Sequence, residues 1–232
     1  MGRPTHYSTE VVTRCQRLIE RLSDQIASDP ALVDEFGGPL RTTFLLAMST
    51  PMIVLPMERL YKPLVGREGV ADDTMLDLDL SQRVREQFDG RLVSATPFFV
   101  DGDWAYIDAT LAFRVADPWP ATVFDTLDDP GALTAAANAP LDRFLGCLRN
   151  ALSHGGVTYL DQNGRQSHAA TNMLGFASFP SVKRTDELRI LRVSVDGFER
   201  FLSLWSRWLA ESGVEQEISQ DGPGWYSEPL AA

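Results

Sequence analysis

Arg149, Asn150 and His154 stand close together in the stretch LRNALSHGG at 148–156. Histidine can be charged or neutral near neutral pH, the property that general acid–base chemistry uses. A guanidinium carries a permanent charge and several donors, which suits a phosphate or the charge that builds on one as it reacts. An asparagine beside them can orient either group. Together the three could do acid–base chemistry at a phosphate. The plain alternative is a solvated helix end, with Arg149 and Asn150 in water and His154 bonded to a backbone carbonyl.

The element that must position these groups is written in the same stretch. Leu141, Phe144, Leu145, Leu148 and Leu152 form one apolar stripe of a helix that opens at Pro140, a residue suited to a first helical position. At about 100° per residue, Asn150 and His154 share the face opposite that stripe. Cys147 and Arg143 lie close to this face, and Arg149 sits at its flank. Gly155 can take the left-handed conformation that stops a helix, and it leaves His154 little steric cover.

Arg-Asn-x-x-x-His near the end of a core helix resembles the signature of the HEPN superfamily (higher eukaryotes and prokaryotes nucleotide-binding). The match is Arg149, Asn150 and His154, with helices before the motif and a long amphipathic helix after it. The resemblance implies a mainly α fold, a HEPN-like helical bundle with a small β-sheet insert between the motif helix and the last long helix. It also implies a homodimer with both motifs at the interface. Many members of the family are metal-independent endoribonucleases of toxin–antitoxin or anti-phage systems; others have lost catalysis and bind a nucleotide or a protein partner. The family's catalytic Arg falls on Arg149, its polar residue on Asn150 and its catalytic His on His154. RNA cleavage would leave a 2′,3′-cyclic phosphate and a 5′-hydroxyl. The implied partners are RNA, a second copy of the chain and an antitoxin of nucleotidyltransferase type, with no cofactor and no metal.

Elsewhere, apolar periodicity predicts a helix over 9–28, ended by Asp29-Pro30. A second, apolar nearly all round, is expected over 40–61. Pro51 and Pro56 should bend it, with Ser49 and Thr50 bonding carbonyls so freed. Residues 66–79 read as an acidic loop, and Leu80, Val84 and Phe88 as a short helix. The stretch FFVDGDWAYIDATLAFRV at 98–115 reads as a strand pair around Asp101-Gly102-Asp103 or as a buried helix, with extended structure favoured, and a helical turn is expected in DDPGALTAAANAP. Three strands are predicted at 157–160, 174–179 and 188–193, with an Asn-Gly turn after the first. Asp196 and Glu199 read as an acidic capping box for a last helix that buries Phe198, Phe201, Leu202, Trp205, Trp208 and Leu209. The chain thus divides into one domain over 1–212 and an acidic tail over 213–232.

Bulk properties limit the function. The formal charge is −11, so the surface as a whole repels polyanions and anionic membranes, and binding to DNA or a membrane is not expected. RNA would need a local basic cleft, with acids gathered in 68–79 and 211–228. Lys183, Arg184, Arg189 and Arg192 form the densest basic cluster, and Lys183 and Arg184 are the candidate substrate-binding pair. Cys15 and Cys147 have no metal-ligand spacing and read as buried thiols of a reduced, cytoplasmic protein. His168 reads as a surface histidine of a polar loop, and His6 has no role. Phosphate-binding loops, dinucleotide fingerprints, paired-His metal helices and nucleophile elbows are absent from the sequence.

Overall fold

The computed structural model describes residues 8–61, 84, 86–109, 113–114, 116–166, 171–180 and 187–212. Over these residues the chain is mostly helical, with one small antiparallel sheet. The first helix, α1 (Glu10–Ser28), buries Val12, Cys15 and Ile19 along one face. Asp29 does more than end it. Its backbone is extended, as a residue before proline prefers, and its carboxylate accepts the Ala31 and Leu32 N–H groups at 2.9 and 3.3 Å. This caps α2 (Pro30–Phe36), a short helix not anticipated from the pattern and stopped by Gly37 at φ 70°.

The apolar helix expected over 40–61 is α3 (Arg41–Pro56), followed by a π-helical turn at Met57–Tyr61. The Ser49 and Thr50 hydroxyls donate to the Leu46 carbonyl at 2.9 and 3.1 Å, one residue before the carbonyl that Pro51 leaves without its helical donor. Pro56 likewise cannot serve the Met52 carbonyl. There the buried Trp205 indole donates instead, at 2.8 Å. Of the helix marked by Leu80, Val84 and Phe88, the described residues 84 and 86–88 are helical. The acidic loop over 66–79 and the tail over 213–232 lie outside the described residues.

Only the half of the 91–120 segment after the Asp101–Asp103 turn pairs as a strand, β1 (Trp104–Ala109). Two helices follow, α4 (Ala121–Asp128) and α5 (Pro130–Ala137), where one helical turn was expected. The motif helix is α6 (Leu141–His154), and then come β2 (Val157–Leu160), β3 (Met173–Ser178), β4 (Leu188–Ser194) and α7 (Val195–Glu211). The Asn-Gly turn is present: Gly164 has φ 72°, and the Asp161 carboxylate accepts the Asn163 and Arg165 N–H groups. The expected capping box is not formed. Ser194 caps α7 by accepting the Gly197 N–H at 3.0 Å, while Asp196 and Glu199 both hold Arg41.

Sheet order is β1-β4-β3-β2, antiparallel throughout, with Asp108 opposite Arg189 and Ser178 opposite Arg189 on the other side. The sheet is therefore not an insert confined to the chain after the motif helix, because β1 arrives from before it. Period-two alternation gives it two buried faces. Trp104, Tyr106, Leu174, Phe176, Leu191 and Val193 join the core formed with α1, α3, α6 and α7. Ala105, Ile107, Leu188 and Ile190 pack under Trp119, α4 and α5 on the other side. Among the described residues no single helix is long and apolar enough to cross a membrane.

The Trp205 bond generates a stability prediction. Trp205→Phe keeps an aromatic ring but leaves the buried Met52 carbonyl without a donor, so it should cost about 2–4 kcal/mol. Trp208→Phe, in a half-buried ring, should cost clearly less. Urea unfolding of both variants measures the difference, and equal losses would show that the indole bond contributes little.

Candidate functional site

Helix α6 is held by its buried side: Leu141, Phe144, Leu145, Cys147, Leu148 and Ala151 all face the core. Phe144 meets Trp104 edge to face at 4.9 Å, fixing the helix on the sheet. Cys147 is a correction to the expected wheel, since it is wholly buried rather than beside the polar groups. Its thiol donates toward the Arg189 carbonyl at 3.3 Å, and burial pushes its pKa up to about 12. It is not a nucleophile at neutral pH.

The two glycines that close the helix serve different needs. Gly155 takes φ 72° and donates to the Ala151 carbonyl, ending the helix in a left-handed cap. Gly156 donates to the same carbonyl at 2.8 Å, and a Cβ there would stand 2.1 Å from the Ala177 carbonyl oxygen. Only glycine lets the chain turn from helix into β2 so close to β3. His154, the last helical residue, is left exposed at this corner between helix and sheet.

Arg149 and Asn150 are half-buried one turn earlier. The Arg149 guanidinium donates to the Asn150 side-chain oxygen and forms an ion pair with Glu58. Burial holds Arg149 below its ordinary pKa, but a guanidinium stays charged under any physiological condition. Glu58 belongs to the π-helical turn at Met57–Tyr61, so the proline break in α3 supplies the motif arginine with its counter-charge. Sequence reading missed Glu58. The available signal was an acid two residues after Pro56, where a π turn can re-aim it.

The structure therefore brings Arg149 and Asn150 into one hydrogen-bonded group with Glu58, and places His154 on the same helix end. Lys183, Arg184, His168 and His6 lie outside the described residues. The expected basic cluster is split by the pleat of β4: Arg189 faces the α6 side and Arg192 the other. There Arg192 meets Asp128 at 2.7 Å and the Leu127 carbonyl at 2.8 Å. Among the described residues no group of three or more His, Cys, Asp or Glu side chains is placed to hold a metal ion. A small pocket beside the π turn, bounded by Leu60, Phe88, Trp205 and Trp208, is lined by apolar atoms and does not suit a charged substrate.

Comparison with family models, with curated proteins and with solved structures finds no match to this chain.

The Glu58–Arg149 pair can be tested directly. Glu58→Ala should cost about 1–3 kcal/mol, because it leaves a half-buried guanidinium without its charged partner. In a double-mutant cycle with Arg149→Ala the two losses should fall short of additivity by at least about 0.5 kcal/mol. Urea titrations of the four proteins check this; strict additivity would mean the two groups do not interact in solution.

Proposed function

We propose that the chain is a HEPN-type endoribonuclease that cleaves RNA without a metal, acting as a cytoplasmic homodimer in a toxin–antitoxin or anti-phage setting. The observation that carries this reading is the division of labour at the end of α6. Arg149 is fixed by Glu58 and Asn150, while His154 stays open to solvent at the corner made by Gly155 and Gly156. Two of the guanidinium's five N–H groups serve those contacts, and the rest can meet a phosphate. In the reaction the ribose 2′-oxygen bonds to the adjacent phosphorus and the bond from phosphorus to the 5′-oxygen breaks. His154 takes the 2′-hydroxyl proton or delivers one to the departing 5′-oxygen. Arg149 stabilises the charge on the non-bridging oxygens, and Asn150 orients the arginine. A single helix offers one imidazole for two proton transfers. A two-fold partner presenting its own His154 would supply the other.

A second reading is favoured by one observation: the Arg149 charge is already met by Glu58. A non-catalytic HEPN-like protein that binds a nucleotide or a protein partner, such as a nucleotidyltransferase-type antitoxin, needs no free transition-state cation.

Purified protein incubated with a panel of RNAs separates the two. Cleavage is expected with 2′,3′-cyclic phosphate ends, and it should persist in EDTA. His154→Ala and Arg149→Ala should each lower the rate by about 10²–10⁴. Exposed His154 should lose little stability on substitution, whereas Leu148→Ala, at a fully buried position, should cost about 2–5 kcal/mol. No cleavage of any RNA, survival of activity in His154→Ala, or a requirement for a divalent ion would each refute the nuclease.

The assembly has its own test. Light scattering should give a dimer mass, and a spin label or fluorophore at Ser153, exposed beside the motif, should report a short distance between copies. A monomer across the micromolar range would refute the shared site.

A further inference from the structure

One face of α6 is buried in the core, through Phe144, Leu145, Cys147, Leu148 and Ala151. On the other side Arg143, Ser153 and His154 are exposed, and Gly146 and Asn150 are partly so. At about 100° per residue, Arg143, Gly146, Asn150 and His154 fall within one stripe roughly 80° wide along the outside of the helix. At about 1.5 Å per residue, Asn150 stands about 6 Å from His154 along the axis, Gly146 about 12 Å and Arg143 about 16 Å. No side chain of this stripe is apolar.

Two of its residues have no use within the described chain. Glycine in a helix interior is unfavourable relative to alanine, because it loses more backbone freedom on folding. Gly146 does not have a positive φ, and no atom of the described residues lies within 4 Å of where a Cβ would stand. Neither backbone conformation nor packing therefore asks for glycine there. Arg143 is exposed and makes no ion pair among the described residues. By contrast Arg41, Arg165, Arg192 and Arg200 are each held by a carboxylate at 2.7 or 2.8 Å. Asp142, the one acid of the helix, lies off the stripe toward Tyr61, whose ionisation it opposes.

We infer that a single strand of RNA leaves the scissile position along this stripe, toward the start of α6. Its backbone passes close over Gly146, and the third phosphate beyond the scissile one meets Arg143. The inference deepens the RNA-cleaving reading of the same helix end and rests on it. Six covalent bonds separate neighbouring phosphorus atoms, so in an open strand they stand about 6 Å apart, close to the spacing of the stripe. A bare stretch of helix lets a sugar–phosphate chain approach, and a guanidinium with no internal partner is free to bind it. A protein partner would instead call for an apolar centre, which the stripe lacks. Both contacts position the strand and take no part in proton transfer. The second copy proposed above meets the His154 end, and the strand leaves that cleft over the remaining turns.

Substrate length and a split between stability and binding are the readouts that a structural role would not move. Fluorescence anisotropy measures binding of a 2′-O-methyl dinucleotide, which has one phosphate, and a 2′-O-methyl hexanucleotide, which has five. The proteins are wild type, Arg143→Gln, Gly146→Ala, Gly146→Leu and, as a control on α7, the exposed Arg207→Gln, with melting curves and light scattering for each. Arg143→Gln should weaken the hexanucleotide about five- to tenfold and reduce its log–log salt slope by about 0.7, leaving the dinucleotide unchanged. Gly146→Ala should raise the melting temperature, while Gly146→Leu should weaken the hexanucleotide at least about tenfold and spare the dinucleotide. Arg207→Gln should change neither. An unchanged hexanucleotide affinity in Arg143→Gln or Gly146→Leu, an equal loss in Arg207→Gln, or a lower melting temperature in Gly146→Ala would overturn the inference. Loss of dimer mass in Gly146→Leu would assign the stripe to a second copy and overturn it as well. So would a wild type that binds no hexanucleotide, and in all these cases cleavage by wild type still decides the nuclease on its own. Arg143-dependent hexanucleotide binding without cleavage would uphold the strand path and sink the nuclease.

Discussion

A proline has no N–H, and Pro56 therefore leaves the Met52 carbonyl without its donor in a part of the chain where water does not reach. The geometry of the candidate site follows from how that debt is met. The Trp205 indole, brought in by the last helix, donates to the orphaned carbonyl. The Met57 N–H is left to bond back to Ile53 and Val54, and the chain continues as a wider π turn. A π turn rotates the residues after it relative to a continuing α-helix. Glu58, which would otherwise follow the apolar pattern of α3, is aimed at Arg149. One buried bond thus couples the last helix, the broken helix and the motif helix.

The second constraint is the two-residue passage from α6 to β2. A helix end and a strand edge meet there with no room for a side chain at Gly156, so the chain passes from α6 to β2 without a longer loop at the corner carrying His154. This explains why the sheet is not an appendage to a bundle. β1, from before the motif helix, pairs with β4, from after it, and α6 lies on the same face of the sheet, chiefly over β3 and β4. The polar end of the helix is consequently bounded on one side by helical side chains such as Glu58 and on the other by sheet side chains such as Arg189.

The parts of this arrangement set by local pattern were legible in the sequence. The stripe Leu141, Phe144, Leu145 and Leu148 marks the motif helix, Gly155 marks its end, and the three later strands announce themselves by apolar runs between turn residues. Features that depend on distant partners were not. A strand at 104–109 pairs with residues far along the chain, so the Asp101–Asp103 turn beside it looked like a hairpin that does not form. The short α2 was hidden because Asp29-Pro30 reads equally as the end of one helix and the cap of the next. Asp196 and Glu199 have capping-box spacing, but Arg41 claims both carboxylates and Ser194 takes the cap. Cys147 was placed near the polar face by helical angle alone, whereas the sheet below makes that flank part of the core.

An acidic chain can still carry locally unmatched positive charge, as the proposed anionic substrate requires. With 32 acids against 21 bases, most of the paired arginines are neutralised at close range. Arg41 is held by Asp196 and Glu199, Arg165 and Arg192 by Asp128, and Arg200 by both oxygens of Asp103. The net charge acts at long range, where salt screens it over about 8 Å at physiological ionic strength. Within a cleft the field is set by the few cations whose counter-charges are weak or distant. Arg143 is exposed, Arg189 has a loose partner at 3.8 Å, and Arg149 has a strong one. On the proposed reading, preference for a phosphate at this helix end would come from which arginines the acids leave incompletely matched, and not from their total number.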